Sequence, residues 1–187
     1  MTVALSKKSG KGVSHGVVSE LTAFLTVKPG RGDQLRAALE RFGHATDAIE
    51  PNLRRRIGLR ELRLVLFDND QRLLFATGFE TDWDPYIDDF VQFVGLDIVG
   101  DWTQHIVGWP YPEGSTAAAS SADIKKLLQS GQMPATWFHE VFSTWTMPEI
   151  LKAAKVEAAF EQVLDNPEAA QALQHPALKP LLDQAAD

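Results

Sequence analysis

The 187-residue sequence contains no cysteine. This excludes disulfide bonds, thiolate nucleophiles, iron–sulfur clusters and cysteine-ligated zinc or haem. It also has no run of about 18 apolar residues, which a membrane-spanning helix requires, so we expect no membrane partner. Residues 1–18 lack the apolar core of a secretory signal. We therefore expect a flexible tail there and a cytoplasmic protein.

Positively charged residues are in the minority. The sequence has 18 Lys and Arg residues and 25 Asp and Glu residues, so its net charge is −7. A field of that sign repels phosphate backbones, so we expect no nucleic-acid partner. The run Arg54-Arg55-Arg56 is a local exception and is interpreted as a solvated turn. Hydrophobic residues make up 44% of the chain, which is ordinary for one globular domain with an extension.

The motifs of several common chemistries are also missing from the sequence. It contains no His-x-His or His-Glu-x-x-His pair, no glycine-rich phosphate loop before a helix and no serine elbow. We therefore predict no metal site and no nucleotide-phosphate site of the common types.

Apolar periodicity predicts regular elements within residues 19–112. A strand over 20–27 ends at Pro29 and Gly30, because these residues interrupt a strand and supply a turn. Apolar residues at three- and four-residue steps then predict a helix that ends at Pro51. The strand-like runs Leu59–Phe67 and Arg72–Phe79 flank a polar tight turn, which is typical of a hairpin.

The second half of this domain contains one more helix and one more strand. Asp82 or Asp84 can cap the helix, and Pro85 suits its first turn. The run WTQHIVGW at 102–109 predicts a fourth strand. The predicted fold class is thus α+β, with the order of the ferredoxin-like β-α-β-β-α-β module. Right-handed crossovers place both helices on one sheet face.

The helix-free face of the predicted sheet is mixed, whereas a face exposed to water should be polar throughout. It would carry Phe24, Val65, Phe67, Val107 and Trp109. At about 25 cal/mol per Å², leaving these side chains in water would cost several kcal/mol. We therefore expect this face to be buried against a second copy, in a homodimer, or under the C-terminal extension.

Residues 113–121 are a small-residue linker, and residues 122–187 are predicted to form a mostly helical extension. Within the extension, 136–145 is an extended aromatic run. Thr146 and Glu149 fit a capping box for a helix that runs to about Leu164.

With ELTAFLTVKPG, LRLVLFDNDQRLLFATGF and WTQHIVGW in this order, the chain resembles the dimeric α/β-barrel superfamily. That superfamily includes antibiotic-biosynthesis-type monooxygenases and haem-binding relatives such as dye-decolourising peroxidases. The resemblance implies a homodimer whose sheets face each other and which encloses a small-molecule pocket. The segment GLDIV at 95–99 departs from the Gly-x-x-Asp-Gly motif of the peroxidases, which puts a peroxidase function in doubt.

Three side chains are candidate catalytic residues. His105 falls on the predicted helix-free face, where an imidazole can serve as a general base, a haem ligand or a hydrogen-bond partner of substrate. The alternative is a hydrogen-bonded interface histidine. Glu61 and Arg63 share one face of the second predicted strand, where the arginine can hold a carboxylate. Charges at such positions also protect an edge strand from mispairing.

The candidate cofactor-binding residues are His139, Trp109 and Phe24. His139 lies in the run Trp137-Phe138-His139-Glu140, which is similar to the wall of a planar-cofactor pocket, although aromatic runs are more often core. Haem is the possible cofactor.

Two functions follow from these candidates. The first is a small-molecule oxidoreductase that acts on an apolar or aromatic substrate. It would be either cofactor-independent or haem-dependent, with His105 or His139 as the axial ligand. The second is a non-catalytic dimeric ligand-binding or interaction module. The resemblance favours the first, because apolar pockets with few polar groups are common enzyme sites.

Overall fold

The structure is a computed structural model that describes residues 10–115 and 119–185, with only the backbone described at positions 52, 54 and 55. The chain divides into two compact units, Met1–Thr146 and Met147–Asp187. The first unit therefore extends well beyond the predicted domain end at residue 112. Among the described residues, no helix combines the length and apolar character needed to cross a bilayer.

The first unit is built around an antiparallel sheet of four described strands. The strands are β1 (Ser14–His15), β2 (Val18–Thr26), β3 (Leu59–Phe67) and β4 (Arg72–Phe79), in the spatial order β1-β2-β4-β3. The hairpin β3–β4 agrees with the prediction from the sequence. Its turn holds Asp68, Asn69 and Asp70 at positive φ, a conformation that Asp and Asn tolerate better than most residues.

Helices follow the first and third long strands, as predicted. The helices of this unit are α1 (Gly32–Asp47), α2 (Pro51–Ile57), α3 (Trp83–Val94), α4 (Leu96–Thr103) and α5 (Ser121–Ser130). The first helix was predicted to end at Pro51, whereas α1 ends at Asp47 and Pro51 begins α2. The run Arg54-Arg55-Arg56 therefore lies in a helix, and the predicted turn is wrong. The helix α5 begins with a complete capping box between Ser120 and Asp123.

The predicted fourth strand at 102–109 is wrong. The helix α4 occupies residues up to Thr103 and buries Val99 and Trp102, whose three-residue spacing matches a helix face. Beyond it, Ile106 forms only an isolated bridge with Val27, and the Val107 N–H donates to the Thr26 carbonyl at 2.8 Å. The first three strands of the predicted module are present, but the fourth is reduced to this bridge.

Part of the predicted flexible tail is structured. Ser14 pairs with Ser19 and His15 with Val18 across a turn at Gly16, whose positive φ of 61° favours glycine. Val18 is completely buried. The prediction of a tail is therefore wrong for residues 14–18, whereas residues 1–9 lie outside the described part of the chain.

The main core lies between the sheet and the helices. Alternate residues of β2 and β4 face it, and the largest buried side chains of the helices pack against them. These residues include Leu21, Leu25, Leu73, Phe75, Phe42, Tyr86, Phe90 and Trp102. A void among Phe42, Phe75 and Trp102 measures about 10 Å³, which is near the minimum for one water molecule. A haem or substrate does not fit in this void unless side chains move.

The second unit is helical. It contains α6 (Met147–Leu164), α7 (Ala170–Leu173) and α8 (Lys179–Ala185), with short 3₁₀ turns at Pro167–Ala169 and Pro176–Leu178. The bounds of α6 agree with the predicted helix from Thr146 to about Leu164. None of its 18 residues, all of them described, is buried. The helical character predicted for the C-terminal region is confirmed.

Candidate functional site

The face of the sheet that points away from the helical core carries an ordered grid of side chains, here called the open face. Because successive residues of a strand point to opposite sides, the strand register places alternate residues of β2, β4 and β3 next to one another. The rows of the open face are Glu20–Gly78–Glu61, Thr22–Ala76–Arg63, Phe24–Leu74–Val65 and Thr26–Arg72–Phe67.

One end of the open face is aromatic. The rings of Phe24 and Phe67 meet edge-to-face with centroids 6.2 Å apart. The Arg72 guanidinium lies over both rings, 5.7 Å from the Phe24 centroid and 5.0 Å from the Phe67 centroid. Val65 next to them is 46% exposed. This end therefore presents apolar surface and a cation together to the outside.

Glu61 and Arg63 lie on the open face, as predicted. An Arg63 Nη donates to a Glu61 carboxylate oxygen at 3.2 Å, and both side chains are exposed. An exposed pair of this kind contributes little to stability, because water and salt screen the attraction. Both groups are therefore accessible to a ligand or a partner.

Glu20 stands at the other end of the grid and is buried. Its Oε1 accepts from the backbone N–H groups of Val13 and Ala135, both at 3.0 Å, and its Oε2 accepts from the Thr22 hydroxyl at 2.8 Å. These donors satisfy the carboxylate and join three parts of the chain. Glu20 is a structural residue that the sequence analysis missed. Its only signal there was an acid at the start of the predicted strand, which is ELTAFLTV.

Residues 131–146 pass beside β2 and end near β3, and we name them the crossing segment. The Phe24 N–H donates to the Gly131 carbonyl at 2.8 Å, and the Met133 N–H donates to the Thr22 carbonyl at 2.9 Å. Farther along, the Arg60 guanidinium donates to the carbonyls of Phe142 and Trp145. The crossing segment is thus fastened to strands on both sides of β4.

The crossing segment contains the predicted aromatic run, but its large side chains point outward. Trp137 is 77% exposed, and Phe142 and Trp145 are about half exposed. His139 stacks on Trp137 with centroids 5.6 Å apart and lies 4.7 Å from the ring of His15. His139 therefore sits on an exposed aromatic surface.

His105 lies in the turn after α4, where its side chain is buried. Burial lowers the pKa of His105, Glu113 and Asp101 oppose this change, and Arg31 and Lys28 reinforce it. The imidazole is therefore neutral near pH 7 and can accept a proton.

Trp109 is also buried, and its ring packs against Tyr111 with centroids 5.5 Å apart. The prediction that it lies on the helix-free sheet face is wrong, because the strand that would have placed it there is not formed.

The structure distributes the predicted site residues over three places. Phe24, Glu61 and Arg63 share the open face, as listed in the grid above. His105 and Trp109 belong to the turn after α4, and His139 belongs to the crossing segment. Two further residues of the open face, Phe67 and Arg72, were missed as site residues. They flank the four-residue hairpin turn and are paired across it. The position of that turn in the sequence was the signal that could have found them. Within the described residues, no group of three or more His, Asp or Glu side chains is arranged to hold a metal ion.

The fold and the open face define an α+β protein with an antiparallel sheet, helices on one side of it and a helical C-terminal region. Comparisons of the chain with protein-family models, curated proteins and solved structures find no significant match. The resemblance to the dimeric α/β-barrel superfamily therefore stays a prediction from the sequence.

Proposed function

We propose that this protein is a homodimeric module that binds a small apolar or aromatic molecule on its open face, which a second copy covers. The observation that carries the proposal is the exposed aromatic end of the sheet. There Phe24, Leu74 and Phe67 are only half-buried and Val65 is exposed. Covering such surface is favourable by about 25 cal/mol per Å², so a ligand and a partner both gain from contact with it.

Binding is favoured over catalysis because the candidate catalytic groups do not converge. Glu61 and Arg63 form an exposed ion pair on the open face. His105 lies in the turn after α4, in a different element. A general base must come within hydrogen-bond reach of the proton that it removes. The open face therefore offers a surface for holding a molecule, with polar groups that can orient it.

The second candidate is a cofactor-independent oxidoreductase with an apolar or aromatic substrate. The neutral, buried imidazole of His105 favours it, because such a group can serve as a general base. Oxygen uptake with a naphthohydroquinone as the reductant tests it. Uptake that is lost in His105→Asn supports the enzyme, and equal uptake in the variant and the parent protein excludes it.

Fluorescence of phenylnaphthylamine, a neutral aromatic probe, tests the binding function. We expect saturable enhancement with the parent protein and about tenfold weaker binding to Phe24→Ala, because that change removes one ring from the open face. Trp137→Ala is the matched control, since Trp137 is an exposed aromatic residue of the crossing segment. Binding that is lost in Trp137→Ala and kept in Phe24→Ala would refute the assignment to the open face.

A further inference from the structure

Arg72 is held in an arrangement suited to receiving a ligand. The strand register places it between Thr26 and Phe67, at the end of the open face. Its guanidinium lies over the rings of Phe24 and Phe67. A cation–π contact of this kind uses the charge of the guanidinium and none of its N–H groups in conventional hydrogen bonds, so those donors remain for a ligand.

The ion pair of Arg72 is weak by comparison with others in the described chain. Arg72 meets Asp68 through one contact of 3.8 Å, and both side chains are about half exposed. Arg36, in contrast, makes two hydrogen bonds to Asp70, at 2.7 and 2.8 Å. Arg72 thus keeps hydrogen-bonding capacity that Arg36 has already used.

The grid also sets the distance between Arg72 and the apolar part of the open face. Neighbouring rows are two residues apart along each strand, or about 7 Å. An aromatic ring resting on Leu74 would place an anionic substituent within reach of Arg72. Arg63 stands one row away on the opposite side, but its pairing with Glu61 at 3.2 Å is closer than that of Arg72 with Asp68.

We propose that the ligand of the open face is a planar aromatic anion. Its ring lies on the row Phe24–Leu74–Val65, and its carboxylate or sulfonate group accepts hydrogen bonds from the Arg72 guanidinium. The proposal rests on the proposed binding function and adds the charge and shape of the ligand. It follows from an accessible cation beside an apolar row, which complements a ligand with one charged and one aromatic end.

Two probes with the same ring skeleton separate charge from apolar contact. Anilinonaphthalene sulfonate carries an anionic group, and phenylnaphthylamine is its neutral counterpart. We expect the full-length protein to bind the sulfonate at least tenfold more tightly. Arg72→Gln should remove about tenfold of sulfonate affinity and leave phenylnaphthylamine affinity within about twofold. The sulfonate affinity of Arg72→Lys should lie between those of the parent protein and Arg72→Gln, because lysine keeps the charge but lacks the planar guanidinium.

Arg41→Gln is the matched control, because Arg41 lies on α1, outside the open face, and pairs with Asp101 at 2.8 Å. It should change the binding of either probe by less than about twofold. Circular dichroism and a thermal melt of each variant establish that it is folded. Sulfonate binding that is unchanged in both Arg72 variants would overturn the inference. If phenylnaphthylamine binds as tightly as the sulfonate and responds to Phe24→Ala, the inference fails and the binding function stands. If neither probe binds, both proposals fail.

Discussion

Two ionisable side chains, Glu20 and His105, are buried in different surroundings. Glu20 accepts three hydrogen bonds and has no charged partner among them. His105 is also buried, and its backbone carbonyl accepts from the Lys28 N–H at 2.8 Å. Its imidazole, however, is kept neutral by burial. The hydrogen bonds of Glu20 join separate parts of the chain. The buried, neutral imidazole of His105 makes stability depend on pH.

His105 should weaken the fold in acid. Burial lowers the pKa of His105 in the folded state, so below about pH 6.5 the unfolded chain binds a proton more readily. Its contribution is therefore complete above about pH 6.5 and is lost as the pH falls toward the folded-state pKa. We expect His105→Asn to lose less thermal stability than the parent protein between about pH 7.5 and about pH 5.5.

Differential scanning calorimetry at both pH values measures this difference. His44→Asn is the control, because His44 is exposed on α1. Equal losses in the parent protein and in His105→Asn would show that another group is responsible.

The crossing segment is an element without regular structure that is held by side chains. Glu20 binds Ala135 at its beginning, the His15 Nδ1 accepts from the Glu140 N–H at 3.0 Å, and Arg60 binds its last residues. Arg60 also pairs with Glu80 at 2.6 Å, and both side chains are almost fully buried. These polar contacts add to the few backbone hydrogen bonds that the segment makes with β2 near its beginning.

Glu20→Gln should loosen the crossing segment. The substitution removes the charge and places an amide group where two N–H donors converge. Losing charge-assisted hydrogen bonds costs about 1.5–3 kcal/mol, so exchange of the Val13 and Ala135 amides should quicken by about ten- to a hundredfold. Hydrogen–deuterium exchange with mass spectrometry measures it.

Glu61→Gln provides the comparison, because Glu61 is an exposed acid in the same row of the open face. Unchanged exchange of both amides in Glu20→Gln would contradict the anchoring role of Glu20.

The sequence predicted some elements correctly and failed at others for identifiable reasons. The β3–β4 hairpin was predictable because alternation in two strands and a polar turn agree with one another. The segment 102–109 alternates as well, but Trp102 also completes a helix face with Val99, and packing of that face against the core decided the outcome. The pairing of β1 was not predictable, because two residues carry too little pattern.

Two apolar patches are exposed to solvent in the part of the chain that the structure describes. One is the aromatic end of the open face, and the other consists of Trp137, Val141, Phe142 and Trp145 in the crossing segment. Exposed clusters of this kind commonly mark interaction sites in stable proteins. They support the proposal that the protein works as a pair of chains.

Val65→Arg should separate the two copies. Val65 is 46% exposed at the end of the row Phe24–Leu74–Val65, and a charge there would face the apolar surface of the partner's sheet. Light scattering after size exclusion should give twice the chain mass of 20.7 kDa for the parent protein and about one chain mass for the variant.

Val163→Arg is the control, because Val163 is 42% exposed on α6 in the second unit. It should leave the mass unchanged. A parent protein of one chain mass, or a dimer that only Val163→Arg dissociates, would exclude pairing through the open face.

The sequence by itself determined the hairpin, the alternation that puts Phe24, Glu61 and Arg63 on one face, and the helical character of the C-terminal region, because these depend on neighbours in the chain. Only the tertiary structure decided that His105 and Trp109 leave that face, that Glu20 becomes a buried anchor and that Arg72 lies over two rings. Those outcomes depend on side chains brought together from distant positions, and no local pattern encodes which of two compatible packings buries more surface.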